Sequence, residues 1–417
     1  MPFLCLTALA LIFDIPLVGR LTGAELLTLA CLPYCLWRLP RVRLSPPEVQ
    51  FFVMLALWMG GAVVSDLYRG TPTDDVMRGW SKIAFVGINF LFMATVVGKD
   101  FRRATAFLFC LYLASVIRLA AGISDENGGL GADVFGTSWK FGYGQFWTIC
   151  CLLMSAGLLT SPFTRLFGMG LPAVAALVNL LLNARNLFGI SAVAATATMM
   201  TAGRKRGLSR TAIGVIAATF LVLGPSLVAV YGYAAEAGYL GDQAREKYEL
   251  QNSGELGLLL GGRQESLAST QAIMDSPVLG HGSWARDISY VLLLKARLEM
   301  AGVEIQGDLL SSDLIPSHSH LFGAWVESGV CGALFWLWAL WITLRGLYAA
   351  LRTPTPLTGF IVFIGASLAW DIFFSPFGLE RRIVTPASLY LMMIAIWWRP
   401  GAPAARLTAP AVPARPW

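Results

Sequence analysis

The feature that most constrains this chain is a succession of apolar runs, each roughly 15 to 24 residues long, recurring from end to end. A helix needs ~20 such residues to cross the hydrocarbon core of a bilayer, and only helices or closed barrels satisfy their own backbone there. The candidate spans are Phe3–Val18, Thr22–Leu36, Val49–Ser65, Gly79–Gly98, Ala104–Ile123 and Tyr143–Thr160, followed by Phe167–Asn183, Asn186–Ala202, Ala212–Ala234, Leu321–Leu344, Leu357–Phe377 and Ile383–Trp398. Only 13% of the residues are charged, where a soluble domain carries about 25%. The expected fold is an all-α polytopic membrane protein with about twelve transmembrane helices.

The formal net charge of +6 does not point to nucleic acid, because most basic residues cluster in short loops between apolar runs. Arg38, Arg41 and Arg43 follow span two, and Lys99, Arg102 and Arg103 follow span four. Arg165 follows span six, Arg204, Lys205, Arg206 and Arg210 follow span eight, and Arg345 and Arg352 follow span ten. All lie on one side if both termini are cytoplasmic, as cationic loops favour. The alternate loops are acidic or mixed, with Asp66, Asp74 and Asp75 after span three and Asp125, Glu126 and Asp133 after span five. No cationic leader precedes Phe3, so the first run is expected to be a retained helix. The seven cysteines all sit in or beside apolar runs without zinc-site spacing, and read as small buried apolar residues.

The expected organisation is nine spans in residues 1–234, an extracytoplasmic segment at 235–317, three more spans at 318–398 and a disordered cytoplasmic tail at 399–417. The segment Glu236–Pro316 holds twelve acidic against six basic residues, the balance expected outside the cytoplasm. A helix is expected from near Arg263 to just before Pro277, a tight turn at Gly280 and Gly282, and a second helix at Ser289–Met300 lying on the membrane surface.

Three stretches carry candidate chemistry. In Asn183-Ala184-Arg185-Asn186 the link between two spans is very short, so Arg185 sits near the end of the bundle. An arginine there either faces a polar cavity or an anion, or snorkels to the interface. In Gly261-Gly262-Arg263-Gln264-Glu265 a guanidinium at a helix start can converge with backbone N–H groups on a phosphate, or pair with Glu255 or Asp275. In Pro316-Ser317-His318-Ser319-His320-Leu321, followed by Glu327-Ser328-Gly329, a histidine at a helix start can take a proton from a hydroxyl. Two histidines at i and i+2 do not share a helical face, which argues against a metal pair.

Taken in order, these stretches resemble the O-antigen ligase and O-antigen polymerase superfamily. The resemblance rests on Arg185 after an apolar span, on Gly262-Arg263 with Ala272-Ile273 and Pro277-Val278-Leu279-Gly280-His281-Gly282, and on His318 nine residues before Glu327-Ser328-Gly329. It covers residues 180 to 345. It implies a GT-C-like bundle with short helices in one large periplasmic loop, set in the bacterial inner membrane. It also implies a cofactor-free, metal-independent enzyme moving a glycan from an undecaprenyl-diphosphate carrier to a lipid A–core or polysaccharide hydroxyl. Carried over, Arg185 and Arg263 grip the diphosphate, Arg381 and Arg382 assist in substrate binding, and His318 is the base. Ser319 stands where the superfamily often has asparagine, and His320 follows; register with Glu327 favours His318. Ligase and polymerase share this donor chemistry and are not separated. The reading from another class is a twelve-helix transporter or flippase. Asp14, Arg118 and Asp371 would be its intramembrane charges, but the chain has no matching halves.

Overall fold

The computed structural model describes residues 1–17, 19–123, 138–204, 206–218, 232–233, 237–239, 265–300 and 312–398. Among these the chain is helical apart from one hairpin and an isolated bridge. The helices are α1 (Pro2–Leu9), α2 (Gly23–Ala30), α3 (Leu32–Arg38), α4 (Pro46–Arg69), α5 (Thr73–Phe92), α6 (Phe101–Ala120), α7 (Gly144–Leu158), α8 (Arg165–Leu181) and α9 (Arg185–Thr201). After them come α10 (Ser266–Asp275), α11 (Ile288–Met300), α12 (His320–Arg352), α13 (Thr358–Phe374) and α14 (Arg381–Trp397).

Among the described residues four helices are long and apolar enough to cross a membrane: α4, α5 with its π-helical extension to Val97, α6 and α12. Shorter apolar helices include α7, α8 and α13; at 1.5 Å per residue a 17-residue helix spans about 25 Å. Residues 210–218 begin a further helix, while the rest of the expected ninth span is described only at 232–233. Arg263 and the 399–417 tail also lie outside the described residues.

The first two apolar runs are not continuous helices. The first ends at Ile12, and the chain then makes a hairpin in which β1 (Asp14–Leu17) pairs antiparallel with β2 (Gly19–Thr22). The cause is Asp14, whose carboxylate takes Arg118 of α6 at 2.5 and 2.8 Å. A charge in an apolar setting is tolerated when paired, and extended backbone lets Asp14 reach its partner. The second run breaks at Cys31, because Pro33 in the first turn of α3 has no N–H to continue the ladder of α2.

Two polar clusters tie distant segments together at the hairpin end. Arg118 also meets Glu380 at 2.9 Å, and Ser115 donates to the same carboxylate. Glu25, fully buried, accepts a hydrogen bond from an Nη of Arg382 at 2.8 Å, and the Arg382 Nε lies 2.8 Å from its other oxygen. Arg382 donates as well to the Arg20 carbonyl, while Asn89 donates to the Arg382 carbonyl. At the opposite end the basic loops meet: Lys99 donates to the Arg43 carbonyl, and Arg352 to that of Leu208.

The core lies around α12, which packs against α4, α13 and α14. Phe51 and Phe90 stack at 3.6 Å, and Trp58 lies against Phe335 and Trp336. Between α7, α8 and α9 the buried Asn179 donates to Thr148 and Ser191 and accepts from Trp139, the interhelical polar bonding that holds helices together in lipid.

Two helices lie close to the positions expected for them between residues 263 and 300. Helix α10 begins at Ser266, three residues past Arg263, and α11 runs from Ile288. The buried face of α11, with Tyr290, Leu294 and Leu298, packs on Ala268 and Ala272 of α10 and on Val326 of α12. That face of α11 therefore joins a small protein core, while Ile288, Leu292 and Met300 of the same helix are exposed.

Candidate active site

Helix α12 is broken near its start, at Gly329, where φ is 61° and ψ −153°. That conformation is essentially reserved for glycine. The break frees the carbonyls of Val326 and Glu327 and the N–H of Val330, and a strap formed by Val278–Gly282 takes all three. The N–H of His281 donates to Val326 at 2.7 Å, that of Gly282 to Glu327 at 3.1 Å, and that of Val330 to the Val278 carbonyl at 3.2 Å. Gly280 has φ 77°, and a Cβ on it would fall 2.6 Å from the Gly329 nitrogen. The glycines of both motifs are thus demanded by one backbone splice.

The strap is fastened to the end of α4. Arg69 donates to the Gly280 carbonyl and the Ser276 hydroxyl, at 3.0 and 2.7 Å. Asp66 accepts from the Ser283 N–H at 2.6 Å, and from the Ser283 hydroxyl and Trp80 indole at 2.8 and 2.7 Å. His281 lies 2.8 Å through Nε2 from the Ala272 carbonyl. A carbonyl only accepts, so Nε2 carries the hydrogen and this ring finishes the last turn of α10.

Beside the splice lies a cavity of about 340 Å³, whose walls include Lys82, Trp284, Ser317, His320, Glu327 and Phe377. Lys82 Nζ meets Glu327 Oε2 at 2.5 Å with both side chains largely shielded from solvent. His320 is 1% exposed, with Nδ1 2.6 Å from the Ser375 carbonyl. Its ring meets Trp336 and Phe377 edge-on, at 4.8 and 5.0 Å. The carbonyl fixes the hydrogen on Nδ1 and leaves a lone pair on Nε2; Nε2 has no hydrogen-bond partner among the described residues. Ser319 caps α12, accepting from the Phe322 N–H and donating to the Ile372 carbonyl.

His318, by contrast, is exposed, next to Ser317 at the cavity wall. Its Nδ1 stands 3.7 Å from Glu265 Oε1, and Glu265 immediately precedes α10. The Arg263 stretch and the His318 stretch therefore meet through Glu265, although Arg263 itself is outside the described residues.

The remaining expected site residues are placed differently. Arg185 is the first residue of α9, half-buried, after a turn in which Asn183 has φ 60°. It is not among the residues lining the cavity. Arg381 pairs with Asp371 at 2.5 Å, and Asp371 also accepts from Ser375, whose carbonyl holds His320. Arg382 is committed to Glu25 and to the hairpin backbone. Farther out, the Tyr290 hydroxyl donates to Asp275 at 2.8 Å. That bond, then one from Gln271, holds the Asp275 carboxyl below the usual range.

Sequence reasoning gave no site role to Lys82 or Arg69, read Asp66 only as a loop charge, and used Glu327 only as a register mark. The available signal was a lysine and a glutamate within apolar runs, since intramembrane charges generally pair. No family model and no curated protein matches the chain.

Proposed function

We propose that this chain is an O-antigen ligase-like glycosyltransferase of about twelve spans in the bacterial inner membrane, with both termini cytoplasmic. It would move a glycan from an undecaprenyl-diphosphate carrier to an acceptor hydroxyl at the periplasmic face. The observation that carries this reading is the approach of His318 to Glu265. It joins two stretches more than fifty residues apart, one expected to bear the base and the other the phosphate-binding arginine, beside a cavity.

In this mechanism Glu265 faces Nδ1 of His318, leaving Nε2 for the acceptor, as a carboxylate orients a catalytic imidazole. The acceptor O–H gives its proton to Nε2 while its oxygen forms a bond to the anomeric carbon. The bond from that carbon to the diphosphate oxygen breaks, and the electron pair leaves with the lipid diphosphate. Arg263 and Arg185 stabilise the charge that develops there, with Arg381 as a helper. Arg382 acts at one remove, fixing the start of α14.

Deletion of the gene, with glycans resolved on gels, tests this. Loss of a ligase leaves bare lipid A–core and accumulates carrier-linked polymer; loss of a polymerase leaves single repeat units. Complementation with His318→Ala should fail at normal protein abundance, since a general base contributes about 10²–10⁴ in rate. Unchanged glycans of every kind would overturn the reading in favour of transport.

A further inference from the structure

The end of the bundle where the basic loops meet holds a second cavity, which the mechanism above does not use. It measures about 210 Å³ and lies between the end of α9 and the loop joining α12 to α13. Its walls include Thr201, Gly203, Arg204, Pro354 and Thr355. Arg204 is exposed, and it is the one charged residue in the described wall. Arg165, half-buried at the start of α8, lays its guanidinium against Gly203, where a Cβ would fall 2.8 Å from Nη1. The Thr355 hydroxyl accepts from the Leu357 N–H, so its own hydrogen is left to give.

No carboxylate balances these cations from within the walls. Between Asp133 and Glu236, and again between Glu327 and Asp371, the chain contains no aspartate or glutamate. Those two stretches supply every residue that lines the cavity. Glu48 and Asp100, at the same end of the bundle, are paired with Lys99 and Arg103. Arg165 and Arg204 form no ion pair among the described residues. Arg206, Arg210 and Arg352 add further positive charge in the adjoining loops. A group of guanidinium ions without an acidic partner suits an anion from outside the chain. Phosphate oxygens match their planar donors best.

The surroundings select the source of that phosphate. Phe163, Leu166 and Phe167, which flank Arg165, are large apolar side chains exposed on the surface. A free phosphate makes no use of them, whereas an acyl chain covers them. Basic pockets between helices at the cytoplasmic face are suited to anionic headgroups. We propose that this cavity binds the phosphodiester headgroup of an anionic phospholipid, held by Arg204, Arg165 and the Thr355 hydroxyl. Its acyl chain lies along Phe163 and Phe167, and the lipid ties the end of α9 to the α12–α13 loop. From the transfer reading this inference takes only the leaflet, and none of the glycan chemistry.

The test uses the full chain in phosphatidylcholine nanodiscs with a small share of phosphatidylglycerol that carries a diazirine on its glycerol head. Labelled peptides are mapped by mass spectrometry. Labelling is expected on residues 201–204 and 353–359, competed by plain phosphatidylglycerol and not by inorganic phosphate. Arg165→Gln combined with Arg204→Gln should weaken it roughly twentyfold, about fivefold for each arginine. Arg41→Gln combined with Arg102→Gln removes the same charge from exposed positions elsewhere, and should leave labelling of these peptides near that of the native chain. Equal losses in the two double variants would reduce the effect to general surface charge and overturn the site. Displacement by inorganic phosphate would overturn the lipid in favour of a soluble anion. Labelling confined to other peptides would overturn the cavity itself. The competition needs only the native chain, so it decides the matter even if the arginine variants do not fold. Should labelling behave as expected while a reporter fused after Arg206 proves extracytoplasmic, the topology of the transfer reading falls and the lipid site stands.

Discussion

Gly329 and Val278 approach so closely that a Cβ on Gly329 would lie 1.9 Å from the Val278 carbonyl oxygen. The contact joins a transmembrane-length helix to the Val278–Gly282 strap. It explains why a glycine follows Glu327-Ser328.

Gly329→Ala should therefore be among the most damaging single substitutions in the chain. Backbone strain alone costs about 1–3 kcal/mol in such a conformation, and the clash adds to it. Gly60, within α4, has open space where a Cβ would go. Gly60→Ala should be neutral or stabilising by up to ~1 kcal/mol. Thermal unfolding in detergent compares the two, and equal tolerance of both would refute the splice.

Arg263→Ala and Arg185→Ala should abolish glycan transfer while leaving membrane abundance near normal. Lysine should rescue poorly, because it does not reproduce the planar two-point grip of a guanidinium on phosphate. Full activity in Arg263→Lys would remove that residue from the diphosphate clamp.

The Lys82–Glu327 pair makes a prediction about coupling. Lys82→Met alone leaves an unpaired carboxylate in the shielded cavity and should cost up to about 3 kcal/mol. Combining it with Glu327→Leu should restore much of the loss, so that the two changes are strongly non-additive. Additive unfolding free energies would mean that the two charges are independently solvated.

Asp275 links α10 to α11 through Tyr290, and its carboxyl is held below the ordinary range by that hydroxyl and by Gln271. A depressed folded-state value means that the stabilisation is present above the unfolded value, near 4, and is lost as pH falls through the folded value. Hydrogen-exchange protection of residues 266–275 and 288–300 should hold at neutral pH and decline in strong acid. Asp275→Ala should lower protection at neutral pH and remove the acid step. An unchanged acid profile in that variant would show that another carboxylate governs it.

Much of the helical pattern was legible in the sequence. The runs from Val49, Ala104, Phe167 and Asn186 emerge as helices with ends shifted by only a few residues. Apolar length and loop charge are local quantities, and they report local structure well. The hairpin at Asp14–Thr22 was not legible, because its cause lies in Arg118 and Arg382, far along the chain. The same applies to the site. Glu327-Ser328-Gly329 and Pro277–Gly282 stood out as motifs, but nothing in either names the other as its hydrogen-bonding partner. Ser319 and His320 were separable from His318 only once a cap, a carbonyl and a cavity wall were assigned to each.

The pairing of Glu25 with Arg382 has a consequence in time. The two residues are separated by 357 positions, and synthesis proceeds at about 5–20 residues per second. For roughly 20 to 70 s, then, the nascent chain carries a carboxylate whose partner does not yet exist. The N-terminal helices cannot settle into their final burial until the last one arrives. Ribosome-bound intermediates lacking α14 should keep the hairpin region open to modification from water, and its closure would mark the end of assembly.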